Sequence, residues 1–282
     1  MKPVLNVGLV NNMPDAALEP TERQFVALLQ EAAQDDMTVL LELYTLPLVP
    51  RGELGRQHLS CYHKLEDLWR HPLDGIIVTG TEPRARELEY EPYWGHMARL
   101  VDWAAQNTTS AIWSCLAAHA AVLHLDGIRR CRRAQKRFGI FNCVQVRKHF
   151  LNAGRGEEIA VPHSRWNGLS ADELKDAGYE ILTQIGDEDV DSFVRQNKSL
   201  HLFLQGHPEY ETDTLLREYR RDLKRFLRGE SEVLQTLPKG YSNPLGGVVN
   251  TWHADAVRLY RNWLCYLAEH KSEAVSPAAV HA

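Results

Sequence analysis

The stretch Ser110-Ala111-Ile112-Trp113-Ser114-Cys115-Leu116-Ala117-Ala118-His119-Ala120-Ala121-Val122-Leu123 decides how the rest of the chain is interpreted. Its first part is short, apolar and β-prone, and its second part is rich in Ala and Leu with helical spacing. Cys115 stands where one pattern changes to the other. At the start of a helix, unpaired backbone N–H groups and the helix dipole stabilise a thiolate and can bind an oxyanion. The stretch therefore predicts a nucleophilic cysteine at a strand-to-helix turn, with a buried structural cysteine as the alternative.

Strand and helix patterns alternate on both sides of this stretch. Residues 4–10 and 73–81 are apolar runs typical of buried strands, and residues 94–104 have the apolar spacing of a helix. Such alternation is typical of an α/β fold in which helices flank a mostly parallel sheet. Residues 256–267 predict an amphipathic helix, which would form a short C-terminal helical extension.

The composition narrows the class of protein. The chain has 282 residues, 44% of them hydrophobic, which is enough for a sizeable core. We predict one α/β domain over residues 1–271 and a disordered tail over residues 272–282. The net charge of −5 argues against a general nucleic-acid binder. The five cysteines form no Cys-x-x-Cys pair, so neither a disulfide framework nor a zinc site is expected. No signal peptide and no apolar run of about 18 residues is present, so we expect a cytoplasmic protein without membrane contact.

A strongly basic run covers residues 129–137 and contains six Arg and Lys residues. Two interpretations are open for it. The first is a solvated basic loop. The second is a site for a phosphate-rich ligand, such as a nucleotide or coenzyme A.

A base and an orienting group for Cys115 follow another buried strand. Residues 200–204 are apolar and lead into Gly206-His207-Pro208-Glu209. Because the carboxyl ends of parallel strands meet at one edge of a sheet, His207 and Glu209 are expected beside Cys115. A nucleophilic cysteine needs a base within hydrogen-bonding reach, and that base needs a partner. The chain has thirteen histidines, so a structural turn histidine is the alternative for His207.

Together these residues resemble the class I glutamine amidotransferases, which have a flavodoxin-like fold. Among proteins of that fold, the chain is similar to the homoserine O-acyltransferases, usually called homoserine O-succinyltransferases. The resemblance runs collinearly from about residue 7 to residue 267. The matching segments are Asn12-Met13-Pro14, Asp74-Gly75-Ile76-Ile77-Val78-Thr79-Gly80, Tyr93-Trp94, Cys115 with its helix, Pro162-His163-Ser164-Arg165, Gly206-His207-Pro208-Glu209-Tyr210, Glu218 with Arg221-Asp222, and Asn262-Trp263-Leu264.

The resemblance implies a role for each matching position. Cys115 would carry the acyl group as a thioester in a ping-pong reaction, with His207 as general base and Glu209 as its partner. The remaining matches are substrate-contacting positions at Lys136, Ser164 and Arg221, and an oxyanion hole at Gly80, Thr81 and Leu116. The resemblance further implies a homodimer of methionine biosynthesis whose small-molecule substrates are homoserine and an acyl-CoA. It implies neither a metal nor a tightly held cofactor.

Two positions depart from the family pattern. His119 is a second histidine close to the nucleophile, where the family more often has glutamine, and we expect it on the packed side of its helix. Arg84 stands at the position that correlates with acyl specificity in the family. Members that use succinyl donors have a small residue there, and members that use acetyl donors have a glutamate. An arginine there could pair with the distal carboxylate of succinyl-CoA, whereas a neutral acetyl group would gain nothing. We therefore expect a succinyl donor, with acetyl-CoA as the alternative.

Two other functions remain open at this point. A Cys–His–Glu set on this fold could also hydrolyse the amide of glutamine, and that reaction would release ammonia without any need for CoA. A non-catalytic binding protein could have the same fold, and its Cys115 would form no thioester with an acyl-CoA.

Overall fold

The computed structural model describes residues 2–187, 189–241 and 248–271. The predicted tail over residues 272–282 lies outside this described part of the chain. None of the described helices is both long and apolar enough to cross a membrane.

In the described ranges, nine strands form one sheet in the order β2-β1-β3-β4-β9-β8-β7-β5-β6. The strands are β1 (Val4–Val10), β2 (Thr38–Tyr44), β3 (Gly75–Val78), β4 (Ser110–Ser114), β5 (Cys131–Gln145), β6 (Glu158–Gly168), β7 (Glu180–Ile185), β8 (Asp189–Gln196) and β9 (Leu200–Leu204). The helices are α1 (Leu18–Ala33), α2 (Glu53–His58), α3 (Leu65–Leu68), α4 (Trp94–Asn107), α5 (Leu116–Asp126), α6 (Ala171–Asp176), α7 (Thr214–Leu227) and α8 (His253–His270).

Half of the sheet is parallel, as the alternating pattern predicted. Strands β2, β1, β3, β4 and β9 pair in parallel. Every residue of β3, β4 and β9 is buried, because helices cover both faces of this half. Val78 of β3 pairs with Trp113 of β4, and Ser114 of β4 pairs with Leu204 of β9. The segments that follow these three strands therefore leave the same edge of the sheet side by side.

The other half of the sheet is antiparallel, so the sheet is more mixed than the sequence indicated. Strands β8, β7, β5 and β6 are linked by antiparallel pairings. β5 already begins at Cys131, so most of the basic run lies in a strand and not in a loop. The register between β5 and β6 shifts between Arg132 and Arg137.

Two apolar layers enclose the sheet. Buried residues of α4 and α5 pack on one face, and buried residues of α1 and α8 pack on the other. The predicted C-terminal helical extension is α8, and it forms part of the core: Trp263 is fully buried and its indole N–H donates to Ser110 Oγ of β4 over 2.9 Å. The central strands that carry the site are therefore held from both sides.

Candidate active site

Cys115 lies at the sharp turn between β4 and α5, where the sequence placed it. Its backbone has φ 53° and ψ −110°, in the region that residues with a side chain rarely adopt. Its N–H donates to the carbonyl of Leu204 over 2.7 Å, and its own carbonyl accepts from the N–H of Ala118 over 3.1 Å. The turn is thus fixed by β9 on one side and by the first turn of α5 on the other. It leaves the thiol half-buried at the edge of the sheet.

His207 and Glu209 form a buried pair beside Cys115. His207 Nδ1 lies 2.8 Å from Glu209 Oε1. The ring stacks on Tyr210 with centroids 4.3 Å apart, and the backbone N–H of His207 donates to the carbonyl of Pro162 over 2.8 Å. Since Glu209 occupies Nδ1, Nε2 is the nitrogen available to the Cys115 thiol, with which His207 shares a hydrogen bond. The structure thus brings the three residues of the predicted set together.

Charge favours the protonated form of His207. Burial by itself would lower the pKa of this imidazole. The negative charges of Glu209 and Cys115, together with their hydrogen bonds, outweigh that effect and hold the pKa of His207 well above its ordinary value of 6.5. A protonated His207 beside the sulfur can supply a proton to a leaving group, as the chemistry of a Cys–His pair requires.

The predicted oxyanion hole lies against the start of α5. Leu116 is the first residue of that helix, so the helix's own hydrogen bonds leave its N–H unpaired. Gly80 approaches so closely that a Cβ built on it would lie 2.9 Å from the Leu116 nitrogen. Thr81 lines the same cleft as Gly80 and Leu116. Backbone donors and the positive end of α5 thus surround the space in front of the thiol.

The predicted substrate-contacting residues are held by two acids of α7. Lys136 Nζ lies 3.0 Å from Asp222 Oδ2, and an Arg221 nitrogen lies 2.8 Å from Asp222 Oδ1. The Ser164 hydroxyl donates to Glu218 Oε2 over 2.5 Å. Asp222 and Glu218 had no predicted role of their own. The sequence feature that could have identified them is the spacing of Glu218, Arg221 and Asp222, which places all three on one face of a helix.

One cleft contains nine of the ten predicted site residues. Its volume is about 940 Å³. The nine are Cys115, His207, Glu209, Lys136, Ser164, Arg221, Gly80, Thr81 and Leu116. Further cations line it, among them Arg86, Arg130 and Arg132. The cleft therefore joins a nucleophile and its base to a wall that suits anionic substrates.

Arg84, the tenth predicted residue, lies outside this cleft. Its side chain is exposed and lines an adjoining hollow of about 840 Å³. The two cavities meet at Thr81, Glu82 and Pro83. Its backbone N–H donates to Glu91 Oε1 over 2.5 Å, which fixes the course of this loop.

Much of the basic run is engaged in ion pairs. Asp189 pairs with Arg133 and lies 2.7 Å from a nitrogen of Arg137. Arg129 pairs with Glu89 over 2.6 Å on the surface. Only part of the run, including Arg132, faces the cleft. The first interpretation, a solvated basic loop, is wrong about the loop, because the run is strand from Cys131 onward, although several of its residues are exposed to solvent.

His119 is a packed residue, as expected. It is buried, and its Nε2 lies 2.9 Å from Gln205 Oε1. Burial lowers its pKa to about 3, so it is neutral near pH 7. With its ring tied to Gln205, it supports the loop before His207.

A buried cluster of Cys143, His163 and Asp191 lies behind the site, with ligand atoms within 4.8 Å of one another. These groups already contact each other: His163 Nε2 lies 3.1 Å from Asp191 Oδ1, whose other oxygen accepts from the Thr183 hydroxyl. The positive charge of Arg155 acts on the same carboxylate. A cation would compete with these contacts, so the cluster is best understood as a support for the strand ends above it.

Comparison of whole structures shows which fold this is. A glutamine amidotransferase of Methylobacillus flagellatus aligns with a TM-score of 0.61 and 15% identity, over 94% of this chain and 95% of that one. A glutamine amidotransferase of Thermotoga maritima aligns with a TM-score of 0.57 and 13% identity, over 95% and 98%. These similarities confirm the predicted class I glutamine amidotransferase-like fold.

Comparison of sequences shows the family. The profile of the homoserine O-succinyltransferases matches residues 2–273. Homoserine O-succinyltransferase of Rhodopseudomonas palustris is 51% identical over 84% of this chain and 72% of its own length. That of Bradyrhizobium japonicum is 42% identical over 94% and 90%. The chain therefore belongs to the homoserine O-succinyltransferase family of acyltransferases.

Proposed function

We propose that the chain transfers the succinyl group of succinyl-CoA to the hydroxyl of homoserine through a thioester on Cys115. The observation that carries the proposal is the convergence of Cys115, the His207–Glu209 pair and several cations in one cleft. A nucleophile with its base can take up and pass on an acyl group. The cations suit substrates that carry carboxylates.

In the first half-reaction, the Cys115 sulfur attacks the thioester carbonyl carbon of succinyl-CoA. Negative charge develops on the carbonyl oxygen, where the N–H of Leu116 and the turn at Gly80 and Thr81 supply donors. The bond between carbonyl carbon and CoA sulfur then breaks, and the departing thiolate takes the proton from His207. This leaves a succinyl thioester on Cys115 and a neutral His207.

In the second half-reaction, the neutral His207 removes the proton of the homoserine hydroxyl. The oxygen attacks the thioester carbonyl, a second tetrahedral oxyanion forms in the same place, and the Cys115 sulfur leaves. The products are the succinyl ester of homoserine and the starting pair, with the proton again on His207. Glu209 keeps the imidazole oriented through both steps.

Lys136 and Arg221 are the proposed anchors for the substrate carboxylates. Asp222 contacts both cations, so a carboxylate that enters the cleft meets groups already held in position. Ser164 is held nearby by Glu218 and offers its hydroxyl oxygen as an acceptor.

Initial-rate kinetics test the reaction as a whole. We expect parallel double-reciprocal lines when succinyl-CoA and homoserine are varied. We also expect a stoichiometric burst of free CoA when homoserine is omitted. Intersecting lines without a burst would overturn the thioester route. Ammonia release from glutamine, with no response to succinyl-CoA, would instead identify an amidase.

The donor specificity is proposed to depend on Arg84, which must reach the succinyl carboxylate where the two cavities meet. Arg86 lines the Cys115 cleft itself and is the matched comparison. Arg84→Ala should lower kcat/KM for succinyl-CoA about tenfold while that for acetyl-CoA is kept. If Arg86→Ala shows this selective loss and Arg84→Ala does not, the assignment to Arg84 is wrong.

A homodimer and a cytoplasmic location remain part of the proposal. Light scattering of the purified chain tests the first. Fractionation of the cells that produce it tests the second.

A further inference from the structure

Helix α7 presents a continuous row of cations on one face. Its members are Arg217, Arg220, Arg221, Lys224 and Arg225, together with Arg228 directly after the helix. Steps of three and four residues place them along one side of the helix over about 16 Å. The six residues, which we call the basic face, line a hollow of about 420 Å³ together with Glu230.

The opposite side of α7 is anchored in the protein. Leu215 and Leu216 are buried in an apolar cluster with Phe138 and Tyr210. Because this contact fixes the rotation of the helix, the basic face points away from the core. It is built on a rigid element, in contrast to the exposed loop that carries Arg84.

The hollow continues into the cleft that contains Cys115. Arg221, Arg225 and Glu230 line both cavities. One elongated molecule can therefore place one end at the thiol and its other end on the basic face.

Acidic neighbours pair with several cations of this face, and Arg221 is held by Asp222. Arg217 pairs with Glu211 and Asp213, and Arg225 pairs with Glu82. Arg228 approaches Glu230 only to 4.0 Å, and both side chains are exposed. Lys224 has no acidic partner among the described residues. The chain as a whole carries −5, so this concentration of positive charge does not follow from its overall composition.

We propose that the basic face binds the phosphate groups of the CoA donor. The proposal rests on the proposed function in taking a CoA thioester as substrate. CoA reacts at its sulfur and carries a diphosphate and a 3′-phosphate at the far end, joined by a long flexible arm. Arginine and lysine bind such oxygens strongly. Within the basic run at residues 129–137, only Arg130, Arg132 and Lys136 line the cleft, and Arg133 and Arg137 pair with Asp189.

The double variant Lys224→Ala/Arg228→Ala tests the proposal, since neither residue lines the Cys115 cleft. Three succinyl thioesters serve as donors: CoA, 3′-dephospho-CoA and N-acetylcysteamine, the last without phosphate. We expect the ratio of kcat/KM for the CoA ester to that for the N-acetylcysteamine ester to fall about tenfold. The KM for homoserine should stay the same. The 3′-dephospho ester should show an intermediate loss.

Lys175→Ala/Lys198→Ala is the matched control, because it removes two exposed cations from other parts of the surface. Lys198 precedes β9, at the edge of the sheet opposite Cys115. This control should leave the ratio unchanged. An unchanged ratio in the Lys224/Arg228 variant, or equal losses with all three thioesters, would overturn the proposal.

Calorimetry separates this proposal from the proposed function. Binding of CoA itself needs no acyl transfer, and its affinity should fall about tenfold in the Lys224/Arg228 variant. If no thioester transfers its succinyl group but this affinity still falls, the reaction is wrong and the phosphate site stands. If transfer proceeds and CoA affinity is unchanged, the phosphate site is wrong and the reaction stands.

Discussion

Cys115 has a strained backbone, and this strained conformation positions the thiol for reaction. A residue with a side chain at φ 53° and ψ −110° costs on the order of 1–3 kcal/mol. The hydrogen bonds to Leu204 and from Ala118 hold it there. The result is a thiol that projects from the edge of the sheet at the positive end of a helix.

Replacement by glycine should relieve this strain. We expect Cys115→Gly to be more stable than Cys115→Ala by about 1 kcal/mol in urea unfolding, with both variants inactive. At an ordinary helical position alanine is more stabilising than glycine. Ala118→Gly is therefore the control, and it should lower the free energy of unfolding by about 1 kcal/mol. A Cys115→Ala protein that is the more stable of the two would show that the turn is unstrained.

The protonation of His207 should depend on its two acidic neighbours. Burial lowers its pKa and the negative charges of Glu209 and Cys115 raise it, so Glu209→Gln leaves burial less opposed and the pKa must fall. The alkaline limb of kcat/KM for succinyl-CoA, where the imidazolium loses its proton, should move to lower pH.

NMR titration of the histidine rings measures this shift. The pKa of His207 should be clearly lower in Glu209→Gln than in the parent protein. His201 is the internal control, because burial lowers its pKa to about 4 and it should stay there in both proteins. A His207 pKa that is the same in the two proteins would contradict the role given to the Glu209 charge.

At the scale of elements, the end of β9 depends on a glycine. A Cβ on Gly206 would lie 2.8 Å from both Asp191 Oδ1 and His163 Nε2. Gly206→Ala should therefore displace the segment that carries His207, lower stability by about 1–3 kcal/mol and reduce kcat. Gly95 in α4 has nothing within 4 Å of such a Cβ, so Gly95→Ala should be neutral or stabilising. Urea unfolding measures the stability of both variants. An equal change in stability for Gly206→Ala and Gly95→Ala would contradict the requirement for glycine at position 206.

The three residues of the predicted catalytic set share one property: each follows a buried strand. Cys115 follows β4, and His207 and Glu209 follow β9, so local patterns placed all three at one edge. Asp222 and Glu218 could not be found in this way. Acidic residues on a charged helix have the same sequence pattern whether they face solvent or fix the side chains that line a cleft.

The antiparallel half of the sheet was harder to predict for a similar reason. Arg133 and Arg137 of β5 pair with Asp189 at the start of β8, more than fifty residues away. A run of basic residues has the same composition in a loop and in such a strand. Its partners become evident only when β5 and β8 lie in one sheet.

At the scale of the whole molecule, the C-terminal helix supports the site from below. Trp263 of α8 donates to Ser110 of β4, and its ring lies against Gly75 of β3. Both strands lead directly to the site, at Cys115 and at Gly80. The site therefore depends on a contact that is formed by the last helix described.

Trp263→Ala should cost about 3–5 kcal/mol of stability, because it leaves a large cavity under the sheet. Urea unfolding measures this loss. Leu54→Ala is the matched control: that side chain is 77% exposed, and its removal should change stability by less than about 0.5 kcal/mol. A Trp263→Ala protein as stable as the control would show that α8 is a separable extension.

Intact-protein mass spectrometry with succinyl-CoA and no homoserine examines the Cys115 thioester itself. We expect one added succinyl group per chain, and its loss when homoserine is supplied. Cys115→Ala should remain unmodified, while Cys131→Ser, which removes an exposed cysteine, should be labelled like the parent protein. Turnover of succinyl-CoA without any adduct, or an adduct that persists in Cys115→Ala, would contradict the role of Cys115.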